Sequence, residues 1–209
     1  MGRVSQAQAQ ENRRRVVEMA SRLFREQGTS VSVADLMKAA GLTHGGFYKQ
    51  FASKDALIEE ALTHAFGELA ERHADALAEG SGSREIAQRA LIDTYLSPRH
   101  RDNPGGGCPA AALASDMARD GGDVEARRTY ADGVAEFAGW LATDDEDGIA
   151  RLCTMVGAIV LARATEGSPL SDEILTAARS ALSPPGQRDA AARGGRSVSA
   201  CRRGADTSA

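Results

Sequence analysis

Val33-Ala34-Asp35-Leu36-Met37-Lys38-Ala39-Ala40-Gly41-Leu42-Thr43-His44-Gly45-Gly46-Phe47-Tyr48-Lys49-Gln50-Phe51-Ala52-Ser53-Lys54-Asp55-Ala56-Leu57 is the stretch on which the fold turns. Ser32 stands before it and Asp35 three residues later, the spacing of a capping box, so a short helix starts at Val33 and turns Leu36, Met37 and Ala40 inward. Gly41 suits a left-handed helix stop, and Thr43 is placed to accept the amide hydrogen bond that opens a third helix over 43–50. Two short helices joined by so tight a turn are a helix-turn-helix candidate. Phe47, Phe51 and Leu42 are expected in its small core. Ser53 then caps a long fourth helix whose apolar stripe is Leu57, Ile58, Ala61, Leu62, Ala65 and Leu69.

Upstream, Val16, Val17, Ala20, Leu23 and Phe24 recur at helical spacing and Gly28 follows, which predicts a first helix over 11–27. Downstream of a Gly/Ser break at 80–83, periodicity predicts five more helices, near 84–96, 108–119, 123–141, 144–165 and 171–182. The Pro- and Gly-rich segment 97–107 reads as a mobile loop bordering a binding site. The chain is therefore all-α with about nine helices: a three-helix unit at 1–52, a larger helical domain at 53–183, and a disordered tail at 184–209 that lacks periodicity.

The eighth helix is unusual. Leu152, Cys153, Met155, Val156, Ala158, Ile159, Val160 and Leu161 leave almost no polar position, so this helix needs cover on more than one side. Its own domain supplies one cover. A second subunit packing against the eighth and ninth helices is the expected other, with Val156 and Ile159 in the interface and Cys153 buried.

The formal net charge is −4, yet it is unevenly spread. Residues 1–54 hold Arg3, Arg13, Arg14, Arg15, Arg22, Arg25, Lys38, Lys49 and Lys54 against only Glu11, Glu18, Glu26 and Asp35. A basic block on an acidic protein points to a polyanionic partner. Cys108, Cys153 and Cys201 have unrelated spacings, which implies neither a disulfide framework nor a metal site and fits a reducing, cytoplasmic compartment. The longest apolar run is too short to span a bilayer and the start of the chain lacks a signal-peptide core, so no membrane association is expected. Nothing resembles a phosphate loop, a nucleophile elbow or a paired-carboxylate site, so neither an enzyme nor a cofactor is expected. The acidic run Asp144-Asp145-Glu146-Asp147 fits the first turn of the eighth helix.

Gly41-Leu42, Tyr48 to Phe51 and Ser53-Lys54-Asp55-Ala56-Leu57 together resemble the DNA-binding signature of the TetR/AcrR family of bacterial repressors. That resemblance spans about the first sixty residues; the remainder is similar in helix number and order. It implies a homodimer bound to a palindromic operator in double-stranded DNA and released by a small-molecule inducer. In that setting Gly45 and Gly46 let the backbone approach the duplex, and Thr43 and Tyr48 donate hydroxyls to phosphates. Lys49 and Lys54 supply charge, and His44 is the candidate for a base edge. Arg13, Arg14 and Arg15 either steer the approach to DNA or form a solvated helix face. Tyr95, Cys108, Met117 and Phe137 are candidate lining of an inducer pocket and equally candidate core. Two alternatives stay open: Cys108, at a helix N-terminus that lowers a thiol pKa, as a thiol or electrophile sensor, and an architectural DNA-binding protein without ligand.

Overall fold

Val16, Ala20 and Phe24 lie on one side of α1 (Gln6–Gln27) and are fully buried, while Arg14, Arg15 and Glu18 on the other side face solvent. In this computed structural model, which describes residues 6–119, 123–144 and 146–183, that buried side packs on α3 (Lys54–Glu79). The expected tail at 184–209, and Cys201 with it, lies outside the described residues. α1 begins five residues earlier than the apolar pattern shows, because 6–10 are polar but still good helix formers.

Between α1 and α3 sit α2 (Val33–Ala39) and a short helix, η1 (His44–Lys49). The capping box is present: Ser32 Oγ accepts from the Asp35 amide at 3.1 Å and donates to the Asp35 carboxylate at 2.6 Å. Gly41 has φ +71°, a conformation that costs a residue with a Cβ, and Leu42 N donates to Met37 O at 2.8 Å to close the turn. The third element corrects the expectation in two ways. It is a 3-10 helix, and Thr43 makes no side-chain cap hydrogen bond; the amide of Gly46 goes to the Thr43 carbonyl at 2.9 Å instead.

The long α3 belongs to both halves of the molecule. Its first turns bury Leu57, Ile58, Ala61 and Leu62, and its later turns bury Phe66, Leu69 and His73, where α7 (Val124–Leu141) and α4 (Arg84–Tyr95) pack on it. A short α5 (Pro98–Arg101), then α6 (Pro109–Arg119), α8 (Gly148–Ala164) and α9 (Pro169–Ala181) complete an all-helical arrangement among the described residues. Segment 97–107 is thus not an open loop. Arg163 donates to the carbonyls of His100 and Arg101 at 3.1 Å each, and Arg101 donates to Ser171 and Asp172 at 2.8 Å.

Two further expectations change. α8 starts at Gly148 with Asp147 as its cap, so Asp144 lies before the helix and not in its first turn. Cys153 is exposed, because α8 turns Leu152, Met155, Ile159 and Ala162 toward its own domain and leaves Ile149, Cys153, Gly157, Val160 and Ala164 on the opposite side. Ile159 is fully buried within the chain and Val156 only partly so. The carbonyls at the end of α7 are taken up by side chains: Arg84 donates to Gly139 O at 2.6 Å, Gln88 to Trp140 O at 2.6 Å, and buried Arg151 to Leu141 O at 3.0 Å. Two cations at a helix C-terminus also complement its dipole.

Candidate nucleic-acid interface and effector region

Phe47 is fully buried and Phe51 nearly so, with stacked rings 5.4 Å apart, and this pair fixes η1 against α2 and α3. With those two residues pointing in, Thr43, His44, Gly45, Tyr48 and Lys49 all point out. Tyr48 is 67% exposed, held edge-on to Phe47 at 5.1 Å and to His44 at 6.1 Å. A Cβ added to Gly45 would meet nothing within 4 Å, whereas one on Gly46 would sit 3.5 Å from Met37. Gly45 therefore leaves its outward side open for a close partner, and Gly46 also serves the α2–η1 contact.

Lys54 is the first residue of α3, beside the cap in which Ser53 Oγ accepts from the Ala56 amide at 3.0 Å. Partial burial pulls its ammonium below the usual lysine range, and Asp55 opposes this. The sequence thus brings four outward groups together on one short helix, with Thr43 at its cap, and adds Lys54 at the positive end of the next. Arg13 is not among them. It grips Glu60 with both terminal nitrogens and lies 4.8 Å over the Phe51 ring, a tie between α1 and α3. Arg14 is exposed and paired with Glu11.

The four candidate pocket residues are all buried. Three lie near one another: the Tyr95 ring is 6.4 Å from Phe137, and its hydroxyl lies against the Cys108 thiol. Met117 lies further along α6. Cys108 is 2% exposed, and burial pushes its thiol up in spite of the Tyr95 hydroxyl and the amides of Ala110 and Ala111. Desolvation thus outweighs the helix terminus, opposite to the shift a sensor thiol needs.

Two histidines join this region, His73 buried and His100 half-buried, and of the two only His73 has a local sequence signal. His100 Nδ1 donates to Tyr95 O at 2.7 Å while its Nε2 accepts from the Cys108 amide at 3.2 Å, which fixes the neutral tautomer and clamps the start of α6 to the end of α4. His73 stacks on Trp140. It falls four residues after Leu69 on the buried stripe of α3, and that spacing could have revealed it.

A set of polar contacts joins the helix-turn-helix to α6. Arg25, buried at the end of α1, donates to Glu68 at 2.9 Å and to Gly107 O at 3.2 Å, and Arg72 donates to Gly106 O at 3.3 Å. Burial lowers the Arg25 pKa and Glu68 raises it back. The Thr29 amide and hydroxyl both donate to Asp116 Oδ1, at 2.8 and 3.0 Å. Among the described residues no group of three His, Cys, Asp or Glu side chains is placed to hold a metal ion, and no helix is long and apolar enough to cross a membrane.

Residues 16–61 match the family model described as bacterial regulatory proteins, tetR family. The HTH-type transcriptional regulator AcrR of Shigella flexneri is 33% identical over 107 residues, covering 48% of this chain and 50% of that protein. The chain thus spans about half the length of this relative. A TetR transcriptional regulator from Chloroflexus aurantiacus J-10-FL, a solved structure, is 26% identical with TM-score 0.66, covering 83% of this chain and 94% of that one. AibR, solved in complex with isovaleryl coenzyme A and operator DNA, shares the fold at 15% identity with TM-score 0.58, covering 83% of this chain and 99% of that one. The capped helix-turn-helix over residues 16–61 is that of the tetR family of bacterial regulatory proteins, and the helical body behind it shares the fold of a solved TetR transcriptional regulator.

Proposed function

We propose that the chain is a ligand-responsive transcriptional repressor that binds a palindromic operator as a homodimer and releases it when a small molecule enters the helical domain at 53–183. The observation that carries this reading is the outward cluster on η1. Thr43, His44, Gly45, Tyr48 and Lys49 share one solvent face, held there by Phe47 and Phe51, on a unit rich in Arg and Lys. Exposed hydroxyls, an ammonium and an open backbone suit phosphates, and His44 is the side chain free to address a base edge.

Dimerisation is supported by the side of α8 opposite its core. Ile149, Cys153, Gly157, Val160 and Ala164 follow helical spacing without a polar break, Val160 and Leu161 are 42% and 56% exposed, and Leu170 of α9 is exposed as well. An apolar stripe of this kind in water favours a second copy. The two reading heads would then meet half-sites about one helical turn of DNA apart.

Release follows from α3 and the contacts of Arg25, Arg72 and Thr29. A ligand that displaces α6 or α7 shifts the helix-turn-helix through them. AibR was solved with both an acyl coenzyme A and operator DNA, which supports a fold that accommodates both partners. A hundredfold loss of operator affinity requires about 2.7 kcal/mol of coupling. The test is selection of operator sequences from random duplex DNA, then competition with a metabolite panel. Enrichment of an inverted repeat, lost on adding one compound, is the expected result; absence of any enriched sequence would overturn the reading.

A further inference from the structure

Where α3 and α7 cross, one polar atom has no partner among the described residues. His73 is 6% exposed and lies flat on Trp140, with centroids 4.2 Å apart and 14° between planes, and 4.9 Å from Phe137. Its Nε2 is buried without a hydrogen bond. Buried polar atoms are nearly always paired, so an orphan marks a place where a partner is supplied from outside the chain. Next to it is a cavity of about 10 Å³ lined by Phe66, Leu69, Ala70, Gly133 and Phe137, with exposed Glu136 at its edge.

We propose that His73 and this α3–α7 crevice form a binding site for a small, neutral aromatic molecule carrying one hydroxyl or ring N–H group. The site gives the effector of the proposed repressor a chemical class and rests on that reading. Ring faces dominate the lining, and aromatic pairs in offset or edge contact gain more than their area alone. The lining offers one hydrogen-bonding atom inside and one carboxylate at the edge, which disfavours an acid. Burial, with Arg72 nearby, pulls the imidazole down to about 4, so at pH 7 it is neutral and attracts no anion.

The cavity as it stands holds about one water. A ring therefore enters by displacing Phe66 or Phe137. Gly133 makes this crossing close: a Cβ there would lie 2.4 Å from the Phe66 ring.

Trp140 is the chain's single tryptophan, so its emission reports on this site alone. Phenol, toluene and benzoate are the probes, titrated against the full-length protein with excitation confined to tryptophan. Phenol should change the emission saturably, and toluene, similar in shape without the hydroxyl, should bind about tenfold more weakly, which is about 1.4 kcal/mol. Benzoate should not saturate. His73→Phe should keep the stack and abolish the preference for phenol over toluene, while His73→Gln should retain part of it. Glu136→Gln, at an exposed position, should strengthen benzoate and leave phenol unchanged. Absence of saturation by phenol, or an unchanged preference in His73→Phe, would overturn the site and leave the operator selection result standing. Saturable phenol binding with no effect on operator affinity would keep the site and overturn its use as the effector pocket.

Discussion

His73 and His100 are both held neutral, for related reasons. Burial comes first for each and brings each to about 4; Arg72 adds to it at His73, and Arg163 and Arg72 at His100, where the Tyr95 carbonyl pulls the other way. In the unfolded chain both rings titrate near the ordinary value of about 6.5. Between pH 6.5 and 4 the unfolded chain therefore binds more protons than the folded one, and stability falls as pH falls through that window. Above it the contribution is complete. Each ring removes up to about 1.4 kcal/mol per pH unit there. Urea denaturation at pH 7 and pH 5 should show a lower midpoint at pH 5, with a smaller drop in His73→Phe; equal midpoints would mean that both rings reach solvent in the folded state. On the DNA side, Lys54→Ala should weaken operator binding for all sequences and make its salt dependence shallower by about one counterion. Tyr48→Phe should weaken it without changing that slope. A change at His44 should instead alter which operator is preferred, as read by repeating the selection.

Among elements, α8 yields the plainest experiment. Val160→Glu puts a charge on the apolar stripe without touching the chain's own core, and it should shift the protein from dimer to monomer in light scattering at unchanged helicity. A dimer as stable as the parent would place the interface elsewhere. Ile159→Glu would be uninformative for this purpose, because Ile159 is fully buried within the chain and its loss unfolds the domain. The contrast separates local signals from long-range packing. The helix-turn-helix was legible because its signals are local: Ser32 with Asp35, Gly41, and Phe47 with Phe51 at one-turn spacing. The 3-10 character of η1 was not, since Thr43 looks like any other cap until its side chain is seen to make no cap bond. In α8 the apolar run did not tell which residue faced the chain's own core, and Cys153 was misplaced for that reason. Segment 97–107 looked open because its partners, Arg163 and Ser171, lie more than sixty residues away. Periodicity carries no such long-range pairing.

Across the whole molecule, the helix-turn-helix and the helical body are joined by charge as well as by α3. Arg25 with Glu68 and the Gly107 carbonyl, and Thr29 with Asp116, place five polar groups where α1 meets α6. Asp116→Ala leaves the Thr29 amide and hydroxyl without their acceptor, at a cost of about 1–3 kcal/mol to that docking. Operator affinity without effector should change little, while the effector-induced loss of affinity should shrink. Calorimetry of the effector with and without operator would check the same coupling from the other side, since operator must weaken effector binding by the factor that effector weakens operator binding. Equal effector affinities would contradict it. For anyone building hybrid regulators, these contacts mean that the reading head is not a cassette that ends at residue 52. Grafted onto a foreign body, it would carry a buried guanidinium with no carboxylate and a threonine with nothing to hold, and the hybrid would be insoluble or deaf to its new effector. The transplantable unit is discontinuous in sequence: the first three helices together with the acceptors at Glu68, Gly107 and Asp116.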